Sequence, residues 1–152
     1  MGLAADVWVF AFPLLGTPDL LLGQEVAAEL KQRGVAASAW TNILLEDFAR
    51  EGLTTTDVIM EASRRAMRAD CVVVLWSART LYASWMLGTV GDVRHKAVYL
   101  QTDSTDAWYR KGFDLDLRPW VSDHSQSQIL DALVPLIAEV LAKPKRPAKP
   151  QS

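Results

Sequence analysis

The sequence predicts a three-layer α/β domain: a central parallel sheet of four to five strands with helices on both faces. Three observations lead there. The run Cys71–Trp76 (CVVVLW) is apolar at every position, as a strand covered on both faces must be. Strand-length apolar runs alternate with helical patterns, and alternation with short connections implies right-handed crossovers and a parallel sheet. At 152 residues, half of them hydrophobic, the chain has the length of one domain and needs no disulfide or metal to hold its core.

In chain order, residues 6–12 (DVWVFAF) read as a buried strand that stops at Pro13. Thr17, Pro18 and Asp19 suit the cap, first position and first turn of a helix. That helix is expected over residues 19–33, with Leu22, Val26 and Leu30 on one face and Gly34 as its stop. Residues 35–40 (VAASAW) form a short second strand. Residues 41–54 read as a loop with a helical turn around 44–50, a connection long enough to carry function. Thr55 or Thr56 caps a helix reaching Arg68, with Ile59, Ala62, Ser63, Ala66 and Met67 inward. Arg64, Arg65 and Arg68 load its C-terminal half, which the helix dipole favours.

After Cys71–Trp76, residues 85–93 suit a short helix weakened by Gly88 and Gly91. Ala97–Gln101 (AVYLQ) is a fourth strand, and residues 105–112 a helical turn. Pro119 restricts residues 115–121 to an edge strand or an irregular segment. The last helix starts at Ser125 or Ser127, turns Ile129, Leu133, Leu136, Ile137 and Val140 inward, and is bent or split by Pro135. The domain is expected over residues 1–142. The tail at 143–152 (KPKRPAKPQS) is basic and proline-rich and reads as a disordered, solvated terminus or linker.

Composition excludes several classes. A net charge of −2 gives no case for specific nucleic-acid binding. No stretch is apolar enough for a membrane span, and the apolar N-terminus lacks the basic region of a signal peptide, so the cytoplasm is the expected compartment. One cysteine, Cys71, and two histidines, His95 and His124, leave no metal-ligand set. Cys71 is expected in the core and His95 on the surface. Trp8 and Trp76 are expected in the core, and Trp108 and Trp120 in less regular, exposed segments.

In open parallel sheets ligands gather beyond the carboxyl ends of the strands. Phe12-Pro13-Leu14-Leu15-Gly16 follows the first strand with one glycine, so neither a dinucleotide fingerprint nor a P-loop is present. No Gly-x-Ser-x-Gly nucleophile elbow occurs, and no His–acid pair is placed to activate Ser77.

The remaining pattern resembles the TIR domains. Residues 6–12 look like their Asp-Val-apolar first strand, and residues 30–40 (LKQRGVAASAW) like their helix end, glycine, strand and aromatic. Residues 52–85 follow the TIR order most closely: a helix with Ile59 and Ala62, an apolar strand ending at Ser77, Leu81-Tyr82, then Ser84-Trp85. The resemblance runs to about Leu141. It implies a flavodoxin-like, TIR-like fold, a signalling or defence role, and self-association or binding to another TIR-like or signalling protein. It requires no cofactor, with NAD as the substrate or ligand of its enzymatic members.

Those enzymes carry a glutamate four residues beyond the tryptophan, where this chain has Thr89. A threonine cannot supply the carboxylate that an oxocarbenium-like transition state needs. Asp92, one helical turn on, and Glu46 are the candidate substitutes for catalysis. Phe12, Trp40, Ser77, Trp85 and Thr89 are the candidate positions for contacting NAD, with Trp40 and Trp85 placed to stack on a base. The segment Gly88-Thr89-Val90-Gly91-Asp92 is also similar to a Gly-Thr-x-x-Glu-x-Gly segment of nucleoside 2-deoxyribosyltransferase-like proteins, again without the glutamate. An interaction module without catalysis, an NAD-cleaving enzyme and a nucleotide-derivative-binding domain are thus the readings to separate.

Overall fold

A computed structural model describes residues 5–11, 18–76, 84–101, 117–119 and 126–143. Strand β1 (Val7–Phe10) is followed by α1 (Pro18–Gln32), β2 (Ala37–Ser38), α2 (Asn42–Arg50), α3 (Thr55–Arg68), β3 (Cys71–Trp76), α4 (Ser84–Asp92), β4 (Ala97–Gln101), β5 (Leu117–Pro119) and α5 (Gln126–Ala142). A 3-10 turn, Arg94–Lys96, joins α4 to β4. Among the described residues the sheet has five strands in the order β2-β1-β3-β4-β5. Every pairing is parallel, with Val7 opposite both Ala37 and Cys71, Val72 opposite Ala97, and Tyr99 opposite Leu117. The strand order is that of the flavodoxin-like doubly wound sheets.

Alternation within each strand divides the core in two. Val7, Val9, Cys71, Val73, Leu75, Val98 and Leu100 face Val26, Ala27 and Leu30 of α1 and Leu130, Leu133 and Ile137 of α5. Trp8, Phe10, Val72, Val74 and Tyr99 face Leu45 of α2, Val58, Ala62 and Ala66 of α3, and Val90 of α4. Strand β3 pairs on both edges and is covered on both faces, which is why its sequence is apolar throughout.

Local signals explain most element boundaries. Helix α1 opens at Pro18 and ends before Gly34, whose φ of +84° is the left-handed conformation of a helix stop. Arg33 then ties α1 to α5, its Nε 2.8 Å from Asp131 Oδ1. Residues 41–54, expected as a loop with a helical turn around 44–50, hold the full helix α2: the Leu44 N–H donates to Thr41 Oγ1 and caps it. Strand β2 is only two residues long, because the chain leaves the sheet for that cap.

Helix α3 is capped one residue earlier than expected, by Thr54. The Asp57 N–H donates to Thr54 Oγ1, and the Thr54 N–H donates to Asp57 Oδ2 at 2.7 Å. Its inward stripe is Val58, Ala62 and Ala66, while Met67 is half exposed. Pro135 does not split α5, which runs as one helix with the proline on its exposed side. Pro119 lies in edge strand β5, where a missing N–H is tolerated. The expected turn at 105–112, Trp108, Trp120 and the tail beyond Lys143 lie outside the described residues.

The capping box predicts an acid sensitivity. The Thr54 backbone and side-chain hydrogen bonds hold the Asp57 carboxyl below its ordinary value of 3.8. Its stabilising effect is complete above that value and is lost as pH falls through the lower folded value. Thr54→Ala is expected to lower stability by about 1 kcal/mol at pH 7. In thermal melts the difference between the parent and Asp57→Asn is expected to shrink below about pH 4.

Candidate functional site

A parallel sheet of this order presents its crevice at the carboxyl ends of β1 and β3, where the strand order reverses. Phe10 and Trp76 end those strands. Phe12 and Ser77 follow in the sequence and lie outside the described residues, as does the side chain of Trp85. The geometry that remains is that of Trp40, Glu46, Thr89 and Asp92.

Thr89 lies in α4, on the side that packs against α3, and is 5% exposed. Its Oγ1 is 2.8 Å from Ser63 Oγ, so the two hydroxyls form a hydrogen bond between the helices. Ser63, expected on the inner face of α3, is brought to Thr89 by its position one residue after Ala62. Asp92 ends α4 and is exposed, so it does not share the environment of Thr89. The helix turn that puts the two within reach also carries Asp92 past the packed face and into solvent. Glu46 is exposed on α2. Thr89→Val keeps the shape and removes the Ser63 bond. It is expected to cost about 1 kcal/mol in chemical denaturation, with the fold retained.

Trp40 is 6% exposed. It meets Trp8 edge-on at 6.2 Å and 78°, and Phe48 of α2 at 5.4 Å and 76°. Such edge-to-face contacts, together with its burial, hold the indole packed among aromatic neighbours. In this arrangement Trp40 closes the region under α2 and offers no open ring face for a base. Trp8 is in the core as expected, and the guanidinium of Arg65 lies over its ring at 4.6 Å.

Arg65 is a residue that helix-end charge alone misplaces. Its Nη2 is 2.6 Å from Asp6 Oδ1 and 3.2 Å from Ser38 Oγ, so one side chain links α3 to the residue before β1 and to the end of β2. Its spacing was an available signal: Val58, Ala62 and Arg65 fall at i, i+4 and i+7 on the buried stripe. Asp6 also fastens β1 to β3: the Asp70 N–H donates to Asp6 O at 2.8 Å, and the Asp6 N–H donates to Asp70 Oδ2 at 2.9 Å. Lys96 Nζ donates to Met67 O and Ala69 O, both at 2.6 Å, and closes the end of α3. These contacts lie where β1 and β3 begin, opposite the crevice.

Cys71 is buried and burial pushes its thiol up to about 12, which keeps it un-ionised and unreactive at neutral pH. Burial likewise pushes the Tyr99 hydroxyl up to about 12. His95 is exposed, as expected. Among the described residues no cluster of three His, Cys, Asp or Glu could hold a metal ion, and no helix is long and apolar enough to cross a membrane. No protein-family model matches the chain, and no curated protein matches it.

Proposed function

We propose that this chain is a TIR-like interaction module that acts by assembly, with itself or with another TIR-like or signalling protein, and without catalysis. The observation that carries this reading is Thr89. At the position where the resemblance calls for a catalytic glutamate stands a buried hydroxyl engaged with Ser63. It is neutral, and its hydrogen bond is spent on helix packing. Asp92 and Glu46 lie in solvent, where water screens the charge that a developing oxocarbenium ion would need close by.

Exposed apolar side chains support the assembly half. Leu44, Leu53, Met60 and Met67, four of the five large exposed ones among the described residues, fall on α2, α3 and their connection. Where exposed apolar side chains form one contiguous patch, they mark a protein-binding surface.

Two measurements on the full chain test the reading. Incubation with NAD at high protein concentration is expected to release no nicotinamide. Light scattering is expected to show a mass that rises with concentration or on adding a binding partner. Turnover by the parent protein that disappears in Asp92→Ala or Glu46→Ala would overturn the non-catalytic reading and make the chain an NAD-cleaving enzyme. A mass that stays monomeric throughout, alone and with candidate TIR-like partners, would overturn assembly.

A further inference from the structure

A solvated helix turns a polar side outward, and α3 does not. Val58, Ala62 and Ala66 bury one stripe. The opposite side carries Met60, Arg64 and Met67 at i, i+4 and i+7. Met60 and Met67 are 48% and 50% exposed, and Arg64 between them is exposed as well. Exposed Arg68 follows one turn beyond Arg64. Over residues 60–68 this side holds two cations, Arg64 and Arg68, against one acid, Glu61, which pairs with both.

Helix α2 and its cap carry the complement. Leu44, Asp47 and Glu51 fall at i, i+3 and i+7 on one stripe. Leu44 and Glu51 are exposed and Asp47 is half-exposed. Three acids, Glu46, Asp47 and Glu51, stand there against one base, Arg50, which pairs with Asp47. Each stripe covers about 10 Å of helix, at 1.5 Å per residue. Both helices cover the same face of the sheet. One chain therefore presents an apolar, acidic stripe and an apolar, basic stripe of matched length.

We propose that the occupant of this face is a second copy of the chain, with α2 of each copy packed on α3 of the other across a two-fold axis. Such an axis repeats every contact in reverse and closes the assembly at a dimer. Leu44 meets Met60 and Met67, and Asp47 and Glu51 meet Arg64 and Arg68. Charge complementarity selects this pairing, because α3 on α3 would set Arg64 beside its own copy. The inference rests on the assembly reading above and names its surface and its partner.

Light scattering against concentration, on the full chain, tests it. The parent is expected to reach the mass of two chains and no more, and to dissociate as salt is added. Two reversed variants, Asp47→Lys with Glu51→Lys and Arg64→Glu with Arg68→Glu, are each expected to fold by circular dichroism and to lose affinity roughly tenfold or more. Mixed together they are expected to regain the dimer, since each then offers one sign of charge on both helices. Met60→Gln with Met67→Gln, which leaves the charges alone, is expected to weaken the dimer too. Reversed variants that associate like the parent, or a folded pair that stays monomeric when mixed, would overturn this surface and leave the assembly reading standing. A parent that gains mass only with a TIR-like partner would overturn the second copy as occupant. A mass that grows past two chains would overturn the two-fold arrangement. A parent monomeric in every mixture would overturn the assembly reading and this inference with it.

Discussion

Val73→Asp is expected to prevent folding. Val73 is at 0% exposure in the central strand, paired with Val9 on one side and Val98 on the other. Its side chain points between α1 and α5 into a cluster of Val, Leu, Ile, Ala and Cys side chains, none of which can pair with a carboxylate. Loss of the valine's burial costs about 2 kcal/mol, and an uncompensated buried charge about 3–5 kcal/mol more. The sum is comparable to the roughly 5–15 kcal/mol that holds a typical domain folded. The check is far-ultraviolet circular dichroism and a urea melt of Val73→Asp beside Val73→Ala. The alanine variant is expected to fold with a loss of about 2 kcal/mol. A folded aspartate variant with a normal melt would show that this strand is not at the centre of the sheet.

Gly23→Leu is expected to cost about 3 kcal/mol through close packing alone. A Cβ at Gly23 would lie 3.2 Å from Ala11 Cβ and 3.9 Å from Leu75 Cδ1. Helix α1 therefore sits almost in contact with the end of β1 and with β3, and a side chain there must push it outward. Two effects compete in Gly23→Ala. Alanine favours the helix by up to about 1 kcal/mol over glycine, and the 3.2 Å approach works against it. The alanine variant is expected to differ little from the parent, and the leucine variant to separate clearly from both. Equal urea midpoints for the alanine and leucine variants would show that α1 is not pressed against the sheet. Because Ala11 and Leu75 lie toward the carboxyl ends of β1 and β3, the same close approach shapes the wall of the crevice.

The strands were readable because their side chains report burial directly. Cys71–Trp76 and Ala97–Gln101 have the observed bounds, and among the described residues the first strand is shorter than expected by Asp6 and Ala11. Helix α1 was readable from Leu22, Val26, Leu30 and Gly34, which mark its face and its end. Helix α2 was read only as a turn around 44–50, because its apolar pattern spans barely two turns; among its described side chains Leu45 is buried and Phe48 half-buried. On α3, Ile59 and Met67 carried the apolar pattern toward solvent, while the small residues Ala62 and Ala66 and the start at Val58 define the buried face. Small side chains give a weak hydrophobic signal even where they allow the closest packing.

The candidate site divides along the same line. The sequence alone determined that position 89 is a threonine, and no fold can give a threonine a carboxylate charge. It also determined the three-layer parallel architecture, since the apolar run of β3 and the alternation of elements are properties of the chain itself. Only the tertiary structure decided that Thr89 turns to Ser63, that Asp92 ends in solvent, and that Trp40 is closed between Trp8 and Phe48. It alone brought Arg65 to Asp6 across 59 residues of sequence. A residue's chemistry is local and can be read from the sequence. Its partners are set by which helices the sheet brings together, and the order β2-β1-β3-β4-β5 is fixed only when the whole core closes.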